Sequence, residues 1–194
     1  MSDVLLWKQL KEGKKAALER IYSTHIAGLL KYGRKFSKND ALIEDCVQDL
    51  FIELWKNRAG LGMTDSIYRY LLVALRRKII RQISQSRKWV SDSEPGELDF
   101  DVEIAVDQQL IEMELTSERA TRLKAAMGNL SKRQKEVIYL KYVSGLDYED
   151  ISDVMGLNYQ SARNLVSNAL KKLKGTLLPL FIIIVQMENF RSSF

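Results

Sequence analysis

Residues 130–173 read LSKRQKEVIYLKYVSGLDYEDISDVMGLNYQSARNLVSNALKKL. The capping residues and glycines of this stretch predict three short helices in succession. Ser131 and Gln134, three residues apart, form a capping box, a reciprocal pair of side chains that starts a helix. This first helix is expected over Lys132–Val143, and Gly145 ends it.

The second and third helices of this stretch are separated by one tight turn. Asp147 is a good N-cap for a helix over Tyr148–Met155. Gly156 tolerates the positive φ that such a turn requires, and Asn158 caps the last helix, Tyr159–Gly175. Two short helices joined in this way predict a helix-turn-helix.

The last helix has an apolar and a polar face. At helical spacing the apolar side chains are Ala162, Leu165, Val166, Ala169 and Leu173. The opposite face carries Gln160, Ser161, Arg163, Asn164, Ser167, Lys171 and Lys172. Such side chains can read base edges or hold phosphates in a major groove, so this polar set is the candidate contact with duplex DNA. An ordinary amphipathic helix with a solvated face would share the pattern.

The same stretch closely resembles the C-terminal domain of sigma-70-family factors, through Leu130–Val137, Gly145–Ile151 and Met155–Leu173. The resemblance implies binding to the upstream, minus-thirty-five element of a promoter. Ala162-Arg163 stands where the family commonly has valine-lysine, which keeps the charge. Asn168 stands where a basic residue is frequent, which removes one expected phosphate contact.

The N-terminal half separates the regulator classes that share a helix-turn-helix. A receiver domain would need alternating strands and helices, and no such pattern is present. Leu10–Tyr22 instead resembles the opening of extracytoplasmic-function sigma factors, with Leu18 in place of their usual phenylalanine. Glu44–Trp55 resembles the helix of these factors that docks on the clamp of core RNA polymerase.

That docking helix, expected over Ala41–Lys56, also has two distinct faces. The inward residues at 100° spacing are Ile43, Val47, Leu50, Phe51 and Leu54. An isoleucine among polar residues on the outer face is a mild sign of a partner. The candidate polymerase contacts are Asp45, Gln48, Asp49, Ile52 and Trp55.

The next helix, expected over Asp65–Ser84, carries a basic cluster, and residues 66–91 contain no acidic residue. If Tyr68, Leu71, Leu72, Leu75 and Ile79 point inward, then Arg69, Tyr70, Arg77, Arg81 and Ser84 point outward together. Cations with an aromatic ring suit a single strand, although a solvated charged face is the alternative. By resemblance this helix melts and reads the minus-ten element, and the candidate contacts are Arg69, Tyr70, Arg76, Arg77, Lys78 and Arg81. Arg77 and Arg81 stand where relatives commonly carry asparagine and aspartate. The resemblance therefore implies binding of a single strand, but it does not indicate which bases are recognised.

Two further helices are expected near the N-terminus and one after the basic region. Asp3 can cap a short helix that ends at Gly13, and apolar spacing marks a longer one from Ala16 to Leu30. Another is expected near Glu118–Met127. With 2 prolines and 10 glycines in 194 residues, the chain is predicted to be all-α, with short turns between helices.

Charge marks the boundary between the two small helical domains. Residues 92–118 include ten Asp or Glu and neither Lys nor Arg. The predicted organisation is an N-terminal domain at 1–90, an acidic linker at 91–116, a helix-turn-helix domain at 117–176 and an apolar tail at 177–194. The linker is either a self-repelling spacer or, by resemblance, a nucleic-acid mimic in the RNA exit path of the polymerase.

No catalytic constellation is found in the sequence, so the chain is not expected to be an enzyme or to need a cofactor or metal. His25 is the sole histidine and lacks a partner at metal-ligand spacing. Cys46 is the sole cysteine, expected in the core, and fits a reducing cytoplasm. The start of the chain does not resemble a signal peptide. The run Leu177–Val185 is too short to cross a bilayer and is expected to pack on the last helix or on a partner, with weak membrane contact or aggregation as alternatives.

Three functions remain open from the sequence. The first is a cytoplasmic alternative sigma factor, whose partners would be core RNA polymerase and promoter DNA, both duplex and melted. The resemblance adds an anti-sigma factor as a further partner. The second is a helix-turn-helix regulator that does not act as a sigma subunit, and the third is an adaptor that binds only protein.

Overall fold

The structure is a computed structural model that describes residues 2–88, 100 and 125–173. The chain divides into two compact units, Met1–Asp99 and Phe100–Phe194. Every regular element within the described residues is helical. The predicted all-α fold with two helical domains is therefore confirmed.

Within residues 2–88, four α-helices build the N-terminal unit, with a short 3-10 turn at Arg58–Gly60 after the third. They are α1 (Asp3–Lys11), α2 (Lys15–Gly33), α3 (Asp40–Lys56) and α4 (Ile67–Lys88). The helix α3 begins one residue before its predicted start because the side chain of Asn39 accepts a hydrogen bond from the N–H of Leu42 at 3.2 Å. The ends of α4 differ from prediction by a few residues, as helix ends commonly do.

The core of this unit lies between the inward faces of the four helices. Its fully buried side chains include Leu10, Ile21, Leu29, Ile43, Leu71, Leu72, Leu75 and Ile79. Burying one such side chain contributes about 1.5–3 kcal/mol to folding. All five residues predicted on the inward face of α3 are buried, which confirms that prediction. The opposite face of α3 is therefore exposed to solvent.

Helices α2 and α3 approach closely at Gly33. A Cβ atom at this position would lie 2.5 Å from Cγ2 of Ile43, which is shorter than van der Waals contact. The absence of a side chain at Gly33 therefore lets Ile43 pack against the backbone of α2.

The N-terminus of α1 corrects the predicted role of Asp3. Ser2 occupies the N-cap of α1 and makes no side-chain cap bond. Asp3 Oδ2 instead accepts a hydrogen bond from the N–H of Ile67, the first residue of α4, at 2.8 Å. Asp3 thus caps a helix that starts 64 residues later, because the fold brings the two N-termini together.

Three α-helices with both ends described and one π-helical turn lie in the C-terminal unit. They are α5 (Lys132–Ile138), the π-helical turn Tyr139–Val143, α6 (Tyr148–Met155) and α7 (Tyr159–Lys172). Of the helix expected near Glu118–Met127, residues 125–128 are described, and they are helical.

The predicted caps of this unit are confirmed. Both bonds of the capping box form, from the N–H of Gln134 to Ser131 Oγ at 3.2 Å and from the N–H of Ser131 to Gln134 Oε1 at 3.1 Å. Asp147 accepts from the N–H of Asp150 at 2.7 Å, and Asn158 caps α7 in the same way. Local side-chain chemistry therefore sets where each of these helices begins.

A tight turn at Gly156 joins α6 to α7. Gly156 has φ 63° and ψ 42°, in the left-handed region that glycine adopts at little cost. The N–H of Leu157 donates to the carbonyl of Ser152 at 2.8 Å, and that of Gly156 to Asp153 at 3.4 Å. This pair of bonds is a Schellman motif, which fixes the angle at which α7 leaves the turn.

The end of the first helix in this unit differs from prediction. The continuous helix expected over Lys132–Val143 becomes π-helical from Tyr139, where the N–H of Ser144 donates to the carbonyl of Tyr139 at 3.0 Å. The wider turn is closed by Gly145 at φ 69°, the residue predicted to end the helix. The spacing of apolar residues does not distinguish these two kinds of turn.

Phe100 packs in the C-terminal unit although it falls within the predicted linker. Its side chain is 2 % exposed, and its ring lies edge-on to that of Tyr139 with centroids 5.9 Å apart. The rest of residues 91–116 and the apolar tail at 177–194 lie outside the described residues. None of the helices at 2–88 and 125–173 has the length and hydropathy needed to cross a bilayer.

Candidate nucleic-acid interfaces

The outer face of α7 is the predicted contact with duplex DNA. Ala162, Val166, Ala169 and Leu173 are buried, while Leu165 is half-buried. The exposed members of the predicted polar set are Gln160, Arg163, Asn164, Ser167, Lys171 and Lys172. Ser161 is half-buried. The second helix of the helix-turn-helix therefore presents a continuous polar face to solvent.

Two hydrogen bonds organise this face. Nε2 of Gln160 donates to Oδ1 of Asn164 at 3.1 Å, which orients the two amides one turn apart. At the other end of α7, Nζ of Lys172 donates to Oε1 of Gln134 at 3.0 Å. Lys172 thereby ties the end of α7 to the start of α5 and differs from its neighbour Lys171 in having this structural contact.

Tyr159, the first residue of α7, was not among the predicted contacts. Its side chain is 47 % exposed and its ring lies edge-on to Tyr148, with centroids 6.1 Å apart. The ammonium of Lys141 lies 4.6 Å above the Tyr148 ring. The first turn of a recognition helix is where base contacts are common, and this position would have identified Tyr159.

The predicted contacts on the basic helix α4 differ in their exposure to solvent. Arg77 and Arg81 are exposed, while Arg76 is half-buried. The half-buried Arg69 donates to Asp65, and Nζ of Lys78 donates to Oε1 of Glu53 on α3 at 2.6 Å. The two exposed arginines lie one turn apart on the same face, so they form the positive part of this surface.

Helical spacing predicted that Tyr70 points outward with the exposed arginines, and the structure shows that it does not. It is half-buried, and its ring lies edge-on to the fully buried Trp7 on α1, with centroids 4.8 Å apart. Burial raises the pKa of the Tyr70 hydroxyl above its ordinary value. The prediction was wrong because α1 packs against this side of α4. The helical spacing of α4 alone does not reveal that contact.

The connector between α3 and α4, residues 57–66, is held by α1. Nε1 of Trp7 donates to the carbonyl of Gly62 at 2.8 Å, and Nζ of Lys11 donates to the carbonyl of Leu61. In the connector itself, the hydroxyl of Thr64 donates to the carbonyl of Ser66 at 2.9 Å. These bonds give the segment before α4 a defined shape.

The outer face of α3 is acidic with an apolar patch. Asp45, Gln48 and Asp49 are exposed, and Ile52 is 49 % exposed. Trp55 is half-buried, with the guanidinium of Arg58 lying 4.2 Å from the centroid of its ring.

Tyr22 on α2 is a further exposed aromatic residue of this unit that was not among the predicted contacts. It is 44 % exposed and lies edge-on to Phe51 of α3 with centroids 4.9 Å apart. Its place in a continuous apolar spacing along α2 gave no signal that its ring stays accessible.

The two residues considered for chemistry are part of the packing. His25 is half-buried and stacks on Tyr68 with centroids 5.5 Å apart, and burial lowers its pKa, opposed by the negative charge of Asp3. Cys46 is buried, as predicted, and burial raises the pKa of its thiol. Within residues 2–88, 100 and 125–173, no three His, Cys, Asp or Glu side chains gather in a way that could hold a metal ion.

Two family models match the chain at the surfaces just described. The model for sigma-70 region 2 matches residues 21–89, which hold most of α2 together with α3 and α4. The model for sigma-70, region 4 matches residues 120–173, which hold the helix-turn-helix. Together they cover more than half of the sequence.

Similar proteins match along nearly the whole chain. The ECF RNA polymerase sigma factor SigK of Mycobacterium sp. (strain JLS) is 24 % identical, with 90 % of each chain covered. The ECF RNA polymerase sigma-E factor of Haemophilus influenzae is 26 % identical, covering 93 % of this chain and 97 % of that one. Among solved structures, the sigma factor RpoE of Bartonella quintana, in complex with the anti-sigma factor NepR, has a TM-score of 0.59 at 25 % identity, covering 83 % of this chain and 96 % of that one. The chain belongs to the sigma-70 family and is an alternative sigma factor of the extracytoplasmic-function type, which gives RNA polymerase its promoter specificity.

Proposed function

We propose that three separate surfaces of the chain divide the work of promoter recognition. The outer face of α7 reads the duplex upstream element, α4 holds the melted downstream element, and the outer face of α3 docks on core RNA polymerase. The observation that carries the proposal is the exposed polar face of α7, opposite a buried apolar face and directly after a Schellman turn. This is the arrangement with which a helix-turn-helix enters a major groove.

On α7, Arg163 and Asn164 are the base-reading residues. Both are exposed and adjacent, and each can make two hydrogen bonds to one purine. Gln160 supports this role because its bond to Asn164 holds that amide in one orientation. Ser167 and Lys171 contact phosphates. Ser161, which is half-buried, and Lys172, whose ammonium is bonded to Gln134, contribute at the edge of the interface.

On α4, Arg77 and Arg81 supply the main attraction for the melted strand. Their exposed guanidinium groups attract the phosphates of a single strand and stack on its bases. Tyr70 contributes the accessible part of its ring. Arg69, Arg76 and Lys78 support the surface from its flanks, where Asp65 and Glu53 partly neutralise the first and last of them.

On α3, the polymerase contact combines charge and apolar area. Asp45, Gln48 and Asp49 supply the polar part, while Ile52 and Trp55 supply the apolar part. An exposed apolar group ringed by charge is typical of the centre of a protein interface. The expected partner surface is therefore basic, with an apolar pocket.

We further propose that the chain has no catalytic activity of its own and acts in the cytoplasm, where bacterial RNA polymerase is found. An anti-sigma factor is a further proposed partner. The similar sigma factor of Bartonella quintana was solved in complex with one. The acidic stretch at 92–118 is proposed to occupy the RNA exit path of the polymerase, because its charge is uninterrupted by Lys or Arg.

Reconstituted transcription tests this proposal. The purified full chain and bacterial core RNA polymerase are incubated with fragmented genomic DNA of the source organism, and the 5′ ends of the transcripts are sequenced. We expect start sites that share an upstream and a downstream element and that vanish when the chain is omitted. A chain that binds duplex DNA but leaves transcription by core polymerase unchanged would instead be a regulator that is not a sigma subunit.

A further inference from the structure

Helix α1 reaches across the N-terminal unit to the segment that leads into the strand-binding helix. Three of its side chains bond to backbone groups there: Trp7 to the carbonyl of Gly62, Lys11 to the carbonyl of Leu61, and Asp3 to the N–H of Ile67. The partners are separated by 55, 50 and 64 residues along the chain. Within the connector, Thr64 and Ser66 make their own side-chain bonds next to Ile67, whereas the carbonyls of Leu61 and Gly62 are bonded from α1.

The connector needs such support because it packs little of its own. Gly60 and Gly62 have no heavy atom within 4 Å of where a Cβ would be, and Met63 is 64 % exposed. Glycine also leaves the backbone with more conformations than any other residue. Bonds from α1 therefore restrict a segment whose own sequence favours freedom.

Trp7 joins this connector to the strand-binding face. Its indole is fully buried, its N–H donates to Gly62 at 2.8 Å, and its ring contacts Tyr70 with centroids 4.8 Å apart. A buried indole held at its N–H and packed along its ring has little freedom to rotate. The position of Tyr70 is consequently coupled to the shape of the connector.

We propose that Trp7 is a positioning residue for the melted strand: through Gly62 and Tyr70 it fixes the connector and the first turn of α4 before DNA arrives, assisted by Asp3 and Lys11. A preformed surface loses less conformational entropy when the strand binds. This inference rests on the proposed role of α4 in strand binding.

The test compares Trp7→Phe and Lys11→Met in full-length chain assembled with core polymerase. Trp7→Phe keeps an aromatic ring against Tyr70 and removes the N–H, and Lys11→Met keeps the aliphatic stem and removes the ammonium. Lys8→Met on an exposed position of the same helix is the matched control. Promoter opening is read from 2-aminopurine placed in the melted element, and core affinity from fluorescence anisotropy of the labelled chain.

We expect each of the two variants to lower the open-complex equilibrium about three- to tenfold, the range for one lost hydrogen bond, with core affinity unchanged. Lys8→Met should behave as the wild type. Opening that stays at the wild-type level in both variants overturns the inference, as does an equal loss of opening and core affinity, which would indicate general damage to the unit. If Trp7→Phe does not fold, Lys11→Met alone decides between these outcomes.

The double variant Arg77→Ala/Arg81→Ala separates this inference from the proposed function. If that variant opens promoters normally, α4 is not the strand-binding surface and the proposed function fails. If it loses opening while Trp7→Phe and Lys11→Met keep it, only the positioning role of Trp7 is wrong.

Discussion

On α7, the exposed neighbours Arg163 and Asn164 are the residues proposed to set promoter specificity. Replacing either by alanine is expected to cost about 1–3 kcal/mol on promoters with the matching purine and little on others. The measurement is a competition assay with a library of upstream elements. A uniform loss on all sequences would make these residues phosphate contacts rather than base readers.

Lys171 and Lys172 are adjacent, but the structure predicts different effects for them. Lys171→Ala should lower the slope of log affinity against log salt by about one, because one phosphate contact is lost, and leave stability unchanged. Lys172→Ala should lower the free energy of unfolding by about 0.5–1.5 kcal/mol, because its bond to Gln134 at 3.0 Å is lost. Salt titrations of DNA binding and urea melts distinguish the two, and identical behaviour would contradict this assignment.

The burial of His25 makes the N-terminal unit sensitive to acid. Because its pKa is lowered in the folded state, the unfolded chain binds more protons, so the free energy of unfolding rises with pH. Stability is therefore full above the ordinary pKa of histidine, about 6.5, and declines as pH falls below it. Urea melts at pH 8 and pH 5 measure the decline, which His25→Gln should reduce. An equal decline in the variant would assign the effect to other groups.

Among the helices, the turn at Gly156 sets how α6 and α7 are joined, and the proposed DNA-binding geometry depends on it. Gly156→Ala places a Cβ at φ 63°, which is expected to cost about 1–2 kcal/mol. Gly128→Ala is the control, because that glycine is outside the positive-φ region and has open space around it. Thermal melts should show a lower midpoint temperature for Gly156→Ala and an unchanged one for Gly128→Ala. A loss in both would indicate that the unit tolerates no added methyl group at all.

The helix starts of the C-terminal unit, where each cap is local in sequence, were predicted correctly, whereas the equally local caps Asn39 on α3 and Ser66 on α4 were not predicted. Ser131, Asp147 and Asn158 each bond to an N–H three residues on, so a short window of sequence contains the whole interaction. Asp3 bonds to the N–H of Ile67, and no local pattern reveals a partner formed only by the tertiary fold.

On the candidate surfaces, helical spacing predicted the exposure of some side chains and not of others. Helical spacing correctly placed the exposed acids of α3 and the exposed polar residues of α7, because each face depends only on the period of its own helix. It misplaced Tyr70, because another helix covers that side of α4 through Trp7. The ion pair of Lys78 with Glu53 likewise depends on two helices packing together.

For the whole chain, assembly with polymerase is expected to depend on the charge of α3. Asp45→Lys/Asp49→Lys should weaken core binding about tenfold or more, because like charges then face the expected basic partner surface. Glu12→Lys/Glu19→Lys makes the same change in charge at exposed positions on other parts of the unit and should have little effect. Affinity is measured by anisotropy with labelled chain. Equal weakening by both variants would mean that net charge, not this face, governs assembly.

The burial of Cys46 has a practical consequence for measuring how the two units are arranged. It is the sole cysteine of the chain, and its 2 % exposure and raised pKa make it a poor nucleophile towards maleimide dyes. Glu19→Cys and Asn129→Cys would place one reactive thiol on the surface of each unit while the native thiol stays silent. Energy transfer between a donor and an acceptor at these two sites can then follow interdomain distance in single molecules, first free and then on the polymerase.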